Sequence, residues 1–256
     1  MSSQEAFLAR VRRALRTTPL PATDRPPLWG EEPDLPQVAA ALHQRLSRQR
    51  PALITQVQQE LTAVSGGVTC VGSMAEATAY ITRLAQDKHA TRVVRWPSAL
   101  LHALEVDAAL HQHGVAVHLA EPGNGSTPLE GAAAIPPARR QELRDLLAQA
   151  DLGLSGVDWV IAETGTLVLS ALPGQMRSVS LVPPVHVAVA RTEQIVSTLA
   201  DYLLLLRAAA PDWQYRLTSC VSFITGPSRT GDIELKLTVG VHGPGELYLV
   251  LIDAAR

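Results

Sequence analysis

Three short stretches of this chain gather groups able to do chemistry, each bounded by glycine and set close to apolar runs. The first is Glu163-Thr164-Gly165-Thr166, where a carboxylate leaves an apolar run beside a glycine that permits close backbone approach. Glu163 can serve there as a base, a nucleophile or a ligand anchor, or it can simply cap a turn while Thr164 and Thr166 satisfy backbone groups. The second, Gly226-Pro227-Ser228-Arg229-Thr230-Gly231-Asp232-Ile233-Glu234, crowds hydroxyls, a guanidinium and two carboxylates into one turn-rich segment. A helix opening at Ser228 or Thr230 would offer free amides beside the bidentate Arg229 to a carboxylate or phosphate. Its structural alternative has Ser228 and Thr230 as N-caps and Arg229 paired with Asp232 or Glu234. The third, Gly240-Val241-His242-Gly243-Pro244, brings His242 to the tip of a tight loop, where it can exchange protons near neutral pH or act as a hydrogen-bonded structural residue. His186, inside an apolar strand pattern, is a weaker candidate.

Other chemistries lack their residues. There is no HExxH, no Walker-type loop and no GxGxxG fingerprint, and the histidines do not stand at metal-ligand spacing, so no metal site is expected. Cys70 and Cys220 are too few for a disulfide framework or a four-thiolate cluster, and both sit in β-branched surroundings that suit core packing. Lys and Arg number 22 against 24 Asp and Glu, a net charge of −2, so no global positive field exists to collect a nucleic acid. No apolar run reaches the ~20 residues of a membrane span, and a cytoplasmic location is expected.

Elements able to position the three stretches follow from periodicity. Phe7, Leu8, Val11 and Leu15 line one face of a basic amphipathic helix, with Arg10, Arg12, Arg13 and Arg16 on the other. Six prolines between Thr17 and Pro36 make a linker or wrapping arm, so residues 1–36 read as an N-terminal extension and 37–256 as the main domain. A helical pattern spans Gln37 to Val64, kinked or divided at Pro51. Strands Gly67–Val71, Arg92–Arg95 and Val115–Leu119 alternate with helices opening at Ser73, with Glu76 completing a capping box, and after Pro97-Ser98. A Gly/Pro/Ala-rich loop, Glu121–Pro137, precedes a helix to Ala150. Strands are then expected at Trp159–Ala162, Leu167–Ala171, Val179–Val182 and Val185–Ala190, a helix from Thr192 to about Ala209, and strands near Thr218–Thr225 and Leu247–Ile252. This alternation predicts an α/β fold, three layers α/β/α around a largely parallel sheet. A composition of 46% hydrophobic and 18% charged residues supplies a core of that size.

The three stretches, in this order and spacing, together with Leu181-Val182-Pro183-Pro184-Val185-His186 and the basic N-terminal helix, resemble lactate-utilization protein C of the LUD domain family over essentially the whole chain. Gly231, where that family commonly has alanine, departs from the pattern. The resemblance implies a NagB/RpiA/CoA-transferase-like fold and a part in oxidising L-lactate to pyruvate. It implies two iron–sulfur partner proteins carrying the clusters, which the two-cysteine count fits by leaving this chain without a cofactor of its own; the first reading of the residues adds a pocket for a small carboxylate lined by Glu163, Arg229 and His242, and a homo-oligomer is compatible with it. Glu163 and His242 are then the candidate catalytic groups. Thr164, Gly165, Thr166, Gly226, Ser228, Arg229, Thr230, Asp232, Glu234 and Gly243 are the candidate ligand-binding residues. An independent acyl- or CoA-transfer enzyme using Glu163 as nucleophile, and a purely structural or regulatory partner, remain the alternatives.

Overall fold

The structure, a computed structural model, describes residues 34–121, 136–172, 175–209, 218, 220–231 and 237–253. Residues 1–33 of the helix and arm expected over 1–36, the loop 122–135, and Asp232 and Glu234 lie outside them, while Leu35 and Pro36, expected in the arm, already belong to the first helix. The chain divides into two compact units, 1–38 and 39–256, and the second holds the sheets.

Its centre is a six-stranded sheet in which every pairing is parallel. In spatial order the strands are β1 (Gly67–Val71), β12 (Glu246–Ile252), β7 (Val185–Arg191), β4 (Leu152–Gly156), β2 (Arg92–Arg95) and β3 (Ala116–Leu119). β7 and β12 are near-continuous apolar runs because a parallel sheet covered by helices buries both faces of its inner strands. The α/β architecture with a largely parallel sheet is thus as expected from the sequence.

β4 was not foreseen. Leu152-Gly153-Leu154-Ser155-Gly156 has two glycines and a serine, a poor strand by composition, yet its first four residues are buried in the middle of the sheet. Gly153 is there for space: a Cβ would run into the carbonyl oxygen of Val179, in the short 3₁₀ turn Arg177–Ser180 lying over the sheet. That turn replaces the strand expected at Val179–Val182.

A second sheet has the order β8 (Ile195–Val196), β5 (Trp159–Ile161), β6 (Thr166–Ser170), β9 (Val221–Ile224). The helix expected from Thr192 therefore begins late. Thr192–Gln194 is a 3₁₀ turn, the β-branched Ile195-Val196 pair runs parallel to β5, and the helix starts at Leu199. The helix expected at Ser228 or Thr230 is instead β10 (Arg229–Gly231), paired antiparallel with β11 (Leu237–Val239).

Among the described residues, helix α1 (Leu35–Ala63) runs unbroken through Pro51. Pro51 is exposed, so the carbonyl that loses its partner one turn earlier can be hydrated, while Leu42, Leu46, Leu53, Val57 and Leu61 keep a buried stripe on both sides of it. Arg45 and Arg50 tie α1 to Asp201 and Glu193 at 2.6 and 2.7 Å. The remaining helices are α2 (Met74–Asp87), α3 (Ala99–Ala103), α4 (Val106–Gln112), α5 (Pro137–Ala148) and α6 (Leu199–Ala209). Ser73 caps α2 by accepting from the amide of Glu76, whose carboxylate reaches back to the amide of Gly72 at 2.9 Å. No helix of the described residues is long and apolar enough to cross a membrane.

Candidate functional site

Two of the glycine-bounded stretches meet the end of α1, and the third packs on the second through Ser228. The chain leaves the helix through Ser65, at φ 67°, and enters β1. Three of the glycine-bounded stretches' members grip this exit. Gly165, in the turn between β5 and β6, has φ 63°, and a Cβ there would lie 2.7 Å from the Leu61 amide nitrogen. Gly226, at φ 99°, lies against Val64 in the same way, at 2.9 Å. Only glycine combines that backbone conformation with that proximity. Arg229 donates through Nη2 to the Val64 carbonyl at 2.6 Å and to Ser65 Oγ at 2.9 Å.

Hydroxyls and amides knit the stretches to one another. Thr164 Oγ1, Thr166 Oγ1 and Thr225 Oγ1 form a chain at 2.7 and 2.6 Å, joining the β5–β6 turn to the end of β9. The Ser228 amide donates to the Pro244 carbonyl at 2.8 Å, and the Gly240 amide donates to the Ser228 carbonyl at 2.9 Å. Gly243 packs on Ser228, its absent Cβ 3.2 Å from that side chain, and Thr230 pairs with Thr238 across the hairpin. Glu163 is held by its own amide, donating to Ser197 O at 3.0 Å, while its exposed carboxylate has no hydrogen-bond or ion-pair partner among the described residues. His242 is exposed on the 240–245 loop. The backbone at the junction is thus braced, whereas Glu163 and His242 are exposed and no contact joins them among the described residues.

The 240–245 loop leads into β12, whose first residue anchors a polar cluster. Glu246 accepts from Lys88 Nζ and from the Tyr248 hydroxyl, both at 2.5 Å. Partial burial alone would raise the Glu246 carboxyl, but these two donors hold it below the ordinary range; the same carboxylate raises Lys88.

His186, the weaker candidate of the sequence, has a buried partner that the sequence did not single out. Ser155 on β4 and His186 on β7 are fully buried, with Oγ 2.8 Å from Nε2, and His186 Nδ1 has no partner among the described residues. Burial lowers the His186 pKa to about 4, so the ring is neutral at physiological pH. A histidine inside an alternating apolar run was the available signal; Ser155 was hidden because β4 was not recognised as a strand. The crevice at the carboxyl ends of β2, β4 and β7 was missed for the same reason.

Comparison with known proteins places the chain. The family model of the LUD domain matches residues 54–252. Lactate utilization protein C of Halalkalibacterium halodurans is 38% identical over 115 residues, covering 44% of this chain and 49% of that protein. The protein of the same name from Macrococcus caseolyticus is 37% identical over 116 residues, covering 45% and 50%. An uncharacterized electron transport protein of Escherichia coli is 25% identical over 252 residues, covering 85% of this chain and 51% of that one. The chain spans about half the length of the curated relatives it matches. A crystal structure of a DUF162 family protein from Deinococcus radiodurans superposes with a TM-score of 0.52 over 79% of this chain and 98% of that one, at 23% identity, a likeness of fold.

Proposed function

The chain belongs to the LUD domain family, and we propose that within it the protein serves lactate utilization, as a component that works with iron–sulfur partner proteins and binds a small carboxylate. The names of the relatives support the pathway, and the relative described as an electron transport protein supports a multi-protein system. Oxidation of L-lactate to pyruvate releases two electrons and two protons. The two cysteines of this chain are too few for a four-thiolate cluster, and the electrons pass to clusters on the partners.

The observation that supports a functional surface is the docking of Gly165, Gly226 and Arg229 on the end of α1, with Thr164 and Thr166 bonded toward Thr225 and the 240–245 loop, which bears His242 and Gly243, packed on Ser228. The glycines and threonines position this surface. Glu163 and His242 are the groups able to accept or deliver a proton, and Arg229, braced through one nitrogen, keeps others to offer a carboxylate. The unpaired carboxylate of Glu163 also supports a second reading, acyl transfer with Glu163 as nucleophile, which trapping of a covalent adduct at that residue would distinguish.

The test is L-lactate-dependent acceptor reduction in extracts of the native host lacking the gene, restored with wild type or Glu163→Gln. Deletion abolishes activity, and wild type restores it far better than the folded, partner-bound variant. Activity indifferent to deletion would sink the lactate reading. Equal rescue by both forms would assign the chain to assembly of the complex.

A further inference from the structure

At the carboxyl ends of β2, β4 and β7, away from the α1 junction, a cavity of about 270 Å³ is lined by residues that include Trp96, Ser98, Gly156, Gln175 and Arg191. The topology opens it. The chain leaving β2 goes outward to β3, whereas β4, its neighbour on the other side, is followed in the sheet by β7, so the connections part between β2 and β4. Crevices at such switch points are where open parallel sheets receive ligands.

Its walls are fixed from behind. Arg95, buried at the end of β2, makes a two-pronged pair with Asp107 and donates to the Trp96 carbonyl at 2.9 Å. The Trp96 indole donates to the Met176 carbonyl at 2.8 Å, which holds the segment bearing Gln175. Gln194 ties the two strand ends together: Oε1 accepts from the Arg191 amide, and Nε2 donates to the carbonyls of Val157 and Asp158.

Three groups in this braced recess have bonding capacity left over. Arg191, exposed at the end of β7, has no ion-pair partner among the described residues. Gln175 Oε1 is buried without a donor among the described residues, a state that costs free energy until something supplies one. Ser98 Oγ accepts from the Leu101 amide and keeps its proton to give. Between them Gly156 leaves room, since a Cβ there would meet only Ser98 Oγ, at 3.9 Å. Gly156 and Arg191 share a face, because Gly156 pairs with Val189, two residues before Arg191. Asp158 also lines the recess, with one oxygen taken by the Ser170 amide, so a second negative charge on a ligand is disfavoured. The volume equals that of roughly nine waters, enough for a molecule of a few heavy atoms.

We propose that this crevice binds a small monocarboxylate carrying a hydrogen-bond donor on the adjacent carbon, a 2-hydroxy or 2-amino acid, with its carboxylate on Arg191 and Ser98 and its donor on Gln175 Oε1. The site is built from residues other than those at the end of α1; it rests on the reading that the protein binds a small carboxylate and moves that ligand from the junction to the crevice, and because the test reads binding alone its failure is distinguishable from failure of the lactate-utilization reading, which the gene deletion tests.

The experiment is calorimetric titration of the full chain with L-lactate, L-alanine and propionate, on wild type, Arg191→Met and Gly156→Val. The first variant removes the cation; the second fills the space at a strand position that accepts a β-branched side chain. L-lactate or L-alanine binds saturably, propionate binds about tenfold more weakly or worse for want of the donor, and each variant weakens binding about tenfold or more while its unfolding midpoint stays near that of wild type. A destabilised Arg191→Met leaves Gly156→Val to decide. No saturable binding of either acid at millimolar concentration overturns the proposal. So does binding that survives both substitutions, or that is lost instead on Glu163→Gln or Arg229→Met.

Discussion

Burial of His186 as a neutral ring makes the stability of this protein depend on pH in a calculable way. The unfolded chain binds a proton at an ordinary histidine pKa of 6.5, whereas the folded chain resists it down to about 4 because the ring is buried beside Ser155. A folded-state pKa below the unfolded one means the contribution is fully present above pH 6.5 and is lost as pH falls toward 4. Between pH 7 and pH 5 the unfolded state gains most of a proton that the folded state refuses, a loss of about 2 kcal/mol at one site. His186→Gln retains a polar partner for Ser155 and removes the titration. Urea unfolding of both proteins at pH 7 and pH 5 isolates the site, because every other titrating group is shared. Wild type is expected to lose about 2 kcal/mol more than the variant over this interval. Equal losses would refute the argument, since a ring able to protonate in the folded state is not buried as described.

Three more outcomes follow from packing. Gly153→Ala drives a methyl group into the Val179 carbonyl above the sheet and should cost about 3 kcal/mol in urea unfolding; a change within about 0.5 kcal/mol would mean the 3₁₀ turn does not lie there. Gly165→Ala adds a left-handed backbone penalty to a collision with the Leu61 backbone, for about 3 kcal/mol, whereas Gly114→Ala, at φ 76° in open space, should cost only about 1 kcal/mol. Parity of the two by thermal unfolding would count against docking of the β5–β6 turn on α1. In the Arg95–Asp107 pair the arginine side chain is 6% exposed and the aspartate 39%. Asp107→Ala, which strands the buried cation, should therefore destabilise by about 3 kcal/mol, and Arg95→Met, which leaves a hydrated carboxylate, by about half as much. The reverse order would contradict the assigned burial.

The sequence by itself carried the alternation of strand and helix, and hence the parallel sheet, because the periods 2 and 3.6 are written locally in side-chain polarity. It also carried the capping box at Ser73 and the polar, glycine-bounded stretches, two of which dock on the end of α1, since turn chemistry is set by the residues of the turn itself. What it left undecided depends on contacts between distant residues. β4 looks unlike a strand because Gly153 must clear a turn that starts some twenty residues later, and Pro51 leaves α1 unbroken because its exposed side faces water. Arg229 was read among Asp232 and Glu234, its neighbours in the chain, yet it braces Val64 and Ser65, 165 and 164 residues away. Trp96, Gly156, Gln175 and Arg191 carry no local motif. Only the order of strands in the sheet, fixed by non-local burial of apolar faces, brings them to one crevice.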